Sequence, residues 1–93
     1  MAMPIYESAE DYLEAILVIQ QRKGIVHSID VAEETGFSKA SVSVAMKKLR
    51  ENGYISMDKD GSLKLLAPGK KIAERIWERN RVLTHFFISI GVD

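Results

Sequence analysis

The stretch from Ser28 to Leu49, SIDVAEETGFSKASVSVAMKKL, limits what this chain can fold into more than any other part of it. It reads as two short amphipathic helices joined by a glycine turn. Ser28 is suited to cap the first helix, Asp30 lies in its first turn, and Gly36 stands where a helix end calls for a residue with positive φ. Ser38 is suited to cap the second, in which Val42, Ala45, Met46 and Leu49 recur at i, i+3, i+4 and i+7 and so form one apolar stripe. Two short helices crossing through a tight turn of this kind make a helix-turn-helix.

Function is legible on the face opposite that stripe. At about 100° per residue, Ala40, Val44 and Lys47 point away from the core, flanked by Ser41, Ser43 and Lys48, with Ser38 and Lys39 at the helix start. Small residues there let the backbone approach a partner closely. Exposed Ala40 and Val44 suit the thymine methyl groups on the floor of a major groove, and the lysines suit phosphates. The competing reading is a plain solvated face, since helix-turn-helix patterns also occur in proteins that bind no DNA.

Formal net charge is zero over 93 residues, which taken whole argues against a polyanionic partner. Its distribution argues the reverse. Residues 1–37 hold seven acids and two bases, residues 38–71 hold eight bases and three acids, and residues 72–93 balance. The basic segment contains the second helix and the stretch directly after it, which gives one face suited to DNA.

That stretch reads as a β-hairpin. Tyr54–Asp58 and Ser62–Leu66 are short, partly alternating runs joined by Lys59, Asp60 and Gly61, and an Asp-Gly pair between such runs is a strong turn signal. A hairpin directly after the second helix is the wing of a winged helix, from which Lys59 and Lys64 reach toward phosphates; for Lys64, solubility on an edge strand is an equally good explanation. Ahead of the motif, Ser8 and Asp11 suggest a capping box, and Tyr12, Leu13, Ile16, Leu17 and Gln20 follow at helical spacing until Gly24. Behind it, Pro68 opens a last helix with Ile72, Ile76, Leu83, Phe86, Phe87 and Ile90 along one side, and Gly91 stops it. The expected fold is mainly α with a small β-hairpin: a winged helix-turn-helix of three helices plus wing, followed by a long C-terminal helix. That helix ends nearly apolar all round. Leu83, Phe86, Phe87 and Ile90 therefore read as a two-fold dimer contact, which would set two recognition helices one DNA turn apart on a palindromic operator.

The order of these segments resembles the diphtheria toxin repressor family of metal-dependent transcriptional repressors, and within it the manganese transport regulator branch. EDYLEAI at residues 10–16, the helix-turn-helix, the wing, GKKIAERI at 69–76 and the closing ISIGVD carry the resemblance, which spans essentially the whole chain. It implies a homodimeric regulator with a winged-helix DNA-binding domain at residues 1–67 and, at 68–93, the first helix of a dimerisation and metal-sensing domain. It implies Mn(II) or Fe(II) as effector. Two family ligands fall on Asp11 and Glu14, at i and i+3 on one helix face, and hard carboxylates suit these ions. The family's ligand histidine falls on Asn80 and a ligand carboxylate of the iron-sensing branch on Thr84, while His85 is one residue off that register. The family's further ligands belong to a later helix, so at most part of a metal site is expected here. Without the resemblance, Asp11 is equally an ordinary helix-capping acid and Glu14 an ordinary surface one.

Other classes fit poorly. Cysteine is absent, which excludes disulfides and thiolate metal sites, and no glycine-rich phosphate loop or nucleophile with an adjacent base suggests an enzyme. His27, just before Ser28, reads as a loop or staple residue and His85 beside Phe86 as interface packing; Tyr12 and Trp77 sit at core-like spacings. No apolar run approaches transmembrane length and the amino terminus does not look like a signal peptide, so the expectation is a cytoplasmic protein that meets neither a membrane nor a small organic substrate. Two alternatives stay open: a DNA-binding regulator without metal control, to which Asn80 points, and a winged-helix protein-interaction module that docks through its last helix.

Overall fold

The computed structural model describes residues 3–87, with side chains from Ala9 to Arg79. Its elements run α1 (Met3–Lys23), α2 (Ser28–Thr35), α3 (Lys39–Glu51), β1 (Ile55–Met57), β2 (Leu63–Leu65) and α4 (Ala67–Phe87). This is the expected winged helix-turn-helix followed by a further helix.

α1 is the axis of the core because its apolar positions recur at three- and four-residue intervals. Leu13, Ile16 and Ile19 are buried within the helical stripe, and Tyr12, Ala15 and Leu17 widen it. Against it pack Val31 and Ala32 of α2, Val42, Met46 and Leu49 of α3, Ile55 and Leu63 of the hairpin, and Ala73 of α4. The first turns of α4 are thus built into the same core as the helix-turn-helix. Among the described residues no buried side-chain nitrogen or oxygen lacks a hydrogen bond, so the core stores no unsatisfied polar cost.

Helix ends explain where the elements stop. Gly24, at φ 88°, closes α1 by donating to the Gln20 carbonyl at 2.9 Å. α3 ends on Gly53 at φ 79°, with the Tyr54 N–H reaching the Leu49 carbonyl at 3.0 Å and the Gly53 N–H the Arg50 carbonyl at 3.1 Å. Three helix starts differ from those read in the sequence, and each strand is shorter by one residue at either end. α1 begins at Met3, so Ser8 and Asp11 lie inside it and form no N-terminal cap. α2 is capped by His27, with Ser28 its first helical residue. α4 begins at Ala67, one residue before Pro68, which accordingly sits in the first turn where no intrahelical donor is needed.

The hairpin pairs Ile55 with Leu65, Ser56 with Lys64 and Met57 with Leu63, antiparallel. Its turn is the three-residue loop that the Asp-Gly signal implies, with Gly61 at φ 86° donating to the Asp58 carbonyl. A third segment joins it. Val26 bridges to Leu63, whose N–H donates to the Val26 carbonyl at 2.7 Å, so the wing is tied at its base to the loop ahead of α2. The expectations for Gly91 and Ile90 and for the side chains of Asn80, Leu83, Thr84, His85, Phe86 and Phe87 lie outside the described residues.

Gly69 marks where α4 meets the hairpin. A Cβ there would land on the Tyr54 carbonyl oxygen and press on Leu13 Cδ2. In an exposed helix, glycine to alanine stabilises by up to about 1 kcal/mol. Here the obstacle is backbone, and overpacking of this kind costs about 1–3 kcal/mol. Gly69→Ala should therefore lower the urea midpoint of unfolding, whereas an unchanged or raised midpoint would mean that α4 does not approach Tyr54 this closely.

Candidate nucleic-acid interface

The turn between α2 and α3 is held by groups that the sequence supplies locally. Gly36, at φ 80°, donates to the Ala32 carbonyl at 2.9 Å. The Thr35 hydroxyl donates to the Val31 carbonyl at 2.8 Å and accepts from the Phe37 N–H at 3.2 Å. Ser38 then caps α3 by accepting from the Ser41 N–H at 3.1 Å, and its hydroxyl lies 3.0 Å from that of Ser41. Helical spacing does not single out Phe37. Its ring meets the buried Tyr12 edge-on, centroids 5.3 Å apart at 67°, and pins the turn to α1. Burial, with the neighbouring Asp11 charge, raises the Tyr12 phenol above its ordinary value.

With Val42, Met46 and Leu49 inward and Ala45 half-buried, the outer ridge of α3 is uncovered. Ser38, Lys39, Ala40, Ser41, Ser43, Val44, Lys47 and Lys48 are all exposed, and Val44, at 56%, is a large apolar side chain left in solvent. Charge pairing separates the two sides of the motif. Arg22 pairs with Glu34 at 3.1 Å and Lys23 with Asp30 at 2.9 Å, which ties α1 to α2. Among the described residues no ion pair engages Lys39, Lys47, Lys48 or Lys59. Exposed pairs contribute little stability. Their consequence is rather that cations next to acids are spoken for and those on α3 are not.

The wing is less basic than its sequence suggests. Lys64 lies 3.1 Å from Asp58, which favours the solubility reading over a phosphate contact, while Lys59 at the tip stays exposed. Asp60 accepts from the Ser62 N–H at 2.9 Å, a bond that lowers its carboxyl below the ordinary value and fixes the turn. Arg50, which the face argument leaves out, reaches from α3 to the wing, its Nη1 lying 3.6 Å from Met57 Sδ. Its position three residues after Lys47 is the signal that could have found it.

Asp11 and Glu14 stand one turn apart on α1, as the resemblance implies. They line a groove of about 300 Å³ together with Ala15, Val18, Glu34, Thr35 and Phe37. Among the described residues no three His, Cys, Asp or Glu side chains come together as a metal-holding group, so Glu34 does not complete such a set.

Residues 5–63, from α1 through the first residue of β2, match the family model described as iron dependent repressor, N-terminal DNA binding domain. The chain belongs to the iron-dependent repressor family. It is 36% identical, over 86 residues and 92% of its length, to the HTH-type transcriptional regulator MntR of Bacillus subtilis and equally to that of Bacillus velezensis. The chain spans 61% of the length of these relatives. The apo form of a Lactococcus lactis ZitR double mutant shares the fold, with a TM-score of 0.68 at 23% identity over 96% of this chain and 71% of that one. The relatives are transcriptional regulators by name, and the family is one of repressors rather than enzymes. Among the described residues, no helix is long and apolar enough to cross a membrane.

Asp30 anchors the start of the motif. It accepts the His27 N–H at 2.9 Å and the Lys23 ammonium, and these bonds, Lys23 first, hold its carboxyl below the ordinary 3.8. Because its folded value is depressed, its stabilisation is complete above the ordinary value and is lost as the pH falls below it. Asp30→Asn should cost about 1 kcal/mol at neutral pH, the upper end for a surface acid beside a helix N-terminus. Chemical denaturation across pH checks this: the deficit should shrink below about pH 4, and a deficit independent of pH would deny the charge its role.

Proposed function

We propose that this chain is the DNA-reading part of a metal-responsive transcriptional repressor. It acts as a homodimer on a palindromic operator in the cytoplasm, with α3 in the major groove and the wing beside it. The observation that carries this reading is the uncovered ridge of α3, where Val44 and Ala40 stand amid lysines without acidic partners among the described residues, inside the segment matched by the repressor family's DNA-binding model. Ser38, Ala40, Ser41, Ser43 and Val44 face base edges or the adjoining backbone, and Lys39, Lys47, Lys48 and Lys59 meet phosphates. Leu83, Phe86, Phe87 and Ile90 supply the two-fold contact, with residues 1–67 reading DNA and 68–93 opening the dimerisation domain.

The effector assigned by family likeness is Mn(II) or Fe(II). Asp11 and Glu14 offer the hard oxygen donors these ions prefer, but two carboxylates leave most of the coordination sphere to water, and no third donor joins them among the described residues. Asn80 in the family's histidine position favours a second reading in which DNA binding runs without metal control. Calorimetric titration with Mn(II) tests whether Asp11 and Glu14 hold a site within this chain. We expect this chain to bind Mn(II) no more tightly than two surface carboxylates do, and a stoichiometric submicromolar transition abolished by Asp11→Ala would restore the sensor.

For DNA, electrophoretic mobility shifts on a site enriched from a randomised duplex library test the assigned face. Val44→Glu places a carboxylate against the groove and should abolish specific binding while the unfolding midpoint stays near that of the parent. Lys47→Ala should weaken all duplexes alike and lower the salt slope by about one. Unchanged affinity in Val44→Glu would show that another face meets the DNA.

A further inference from the structure

The ridge of α3 lacks the side chains that usually read base pairs by paired hydrogen bonds. Ala40, Ser43, Val44 and Lys47 include no Arg, Asn or Gln, and the nearby Asn52 amide is committed to the Lys48 carbonyl at 2.8 Å. Paired recognition of adenine is therefore unavailable at the centre of the ridge, and that of guanine is open to Lys47 alone. Lys47, assigned above to phosphate, carries its donors on a flexible stem, and Ser43 serves either as donor or as acceptor.

Val44 is what remains, and the fold itself has no use for it. It is 56% exposed, on the side of α3 away from Val42, Met46 and Leu49, and a β-branched residue in mid-helix is less favourable than the straight-chain polar residues usual on a solvated face. A rigid isopropyl group at the crest complements one feature of the major groove, the C5-methyl group of thymine, because the other features there are hydrogen-bonding atoms. The helix start can come close, since Ala40 and Ser41 add no bulk.

Building on the assignment of α3 to the groove, we propose that Val44 is a specificity-determining residue that selects a pyrimidine C5-methyl group, so that discrimination at its base pair is for a methyl and not for a hydrogen-bond pattern. Thymine satisfies it. Uracil, with identical pairing and no methyl, does not, whereas 5-methylcytosine paired with guanine satisfies it in part.

The test uses the whole chain and a duplex enriched from a randomised library, resynthesised with one uracil at a time in place of thymine. At the position under Val44 the uracil duplex should bind about fourfold more weakly, the worth of one buried methyl at about 0.8 kcal/mol. Val44→Ala should bind the thymine and uracil duplexes equally at that position. A 5-methylcytosine·guanine pair there should bind better than a cytosine·guanine pair. Equal affinity for thymine and uracil at every position would overturn the proposal, as would a uracil penalty that persists in Val44→Ala. Either result, with salt-sensitive binding to an enriched sequence retained, leaves the assignment of α3 to DNA standing. Failure of the chain to retain any duplex at low salt would remove that assignment and this proposal together.

Discussion

The inner edge of α3 decides what the molecule can present. Val42, Met46 and Leu49 are buried in the cluster centred on α1, beside Ile55 and Leu63 of the hairpin. Burying three such side chains is worth roughly 5–9 kcal/mol, comparable with the whole stability of a small domain. Rolling the helix by one residue, about 100°, would forfeit most of that. The helix is therefore fixed in rotation, and with it the ridge through Ala40, Val44 and Lys47. Presentation of that ridge follows from core packing rather than from any device at the surface.

Electrostatics complete the asymmetry within a chain whose formal charge is zero. Acids on α2 take up the cations at the end of α1, and Asp58 takes up Lys64 on the wing. The lysines of α3 have no such partners among the described residues, so their field reaches solvent undiminished by neighbours. A separate acidic groove gathers Asp11, Glu14 and Glu34 between α1 and the α2–α3 turn. Segregation, not net charge, is the property relevant to a polyanion.

Much of this was legible in the sequence because it is local. The Gly36 turn, the Ser38 cap, the stripe from Val42 to Leu49 and the Asp-Gly turn each arise from a few neighbouring residues. Features that depend on distant contacts were not. Val26 joins the hairpin through the sequence-distant Leu63, Phe37 edges against Tyr12, and Gly69 is required by the Tyr54 carbonyl. None of these pairs leaves a periodic trace. The Asp11–Glu14 pair is intermediate: its shared face was readable, and its lack of a third described donor was not.

The central claim is that the outer ridge of α3 is the surface that meets DNA. Its most direct measurement is the map of backbone amide shifts in the isotope-labelled chain titrated with an enriched duplex. The largest changes should fall on residues 38–48 and at Lys59, diminish with added salt, and leave the groove around Asp11, Glu14 and Glu34 nearly unmoved. Changes centred on that groove, with α3 silent, would contradict the account.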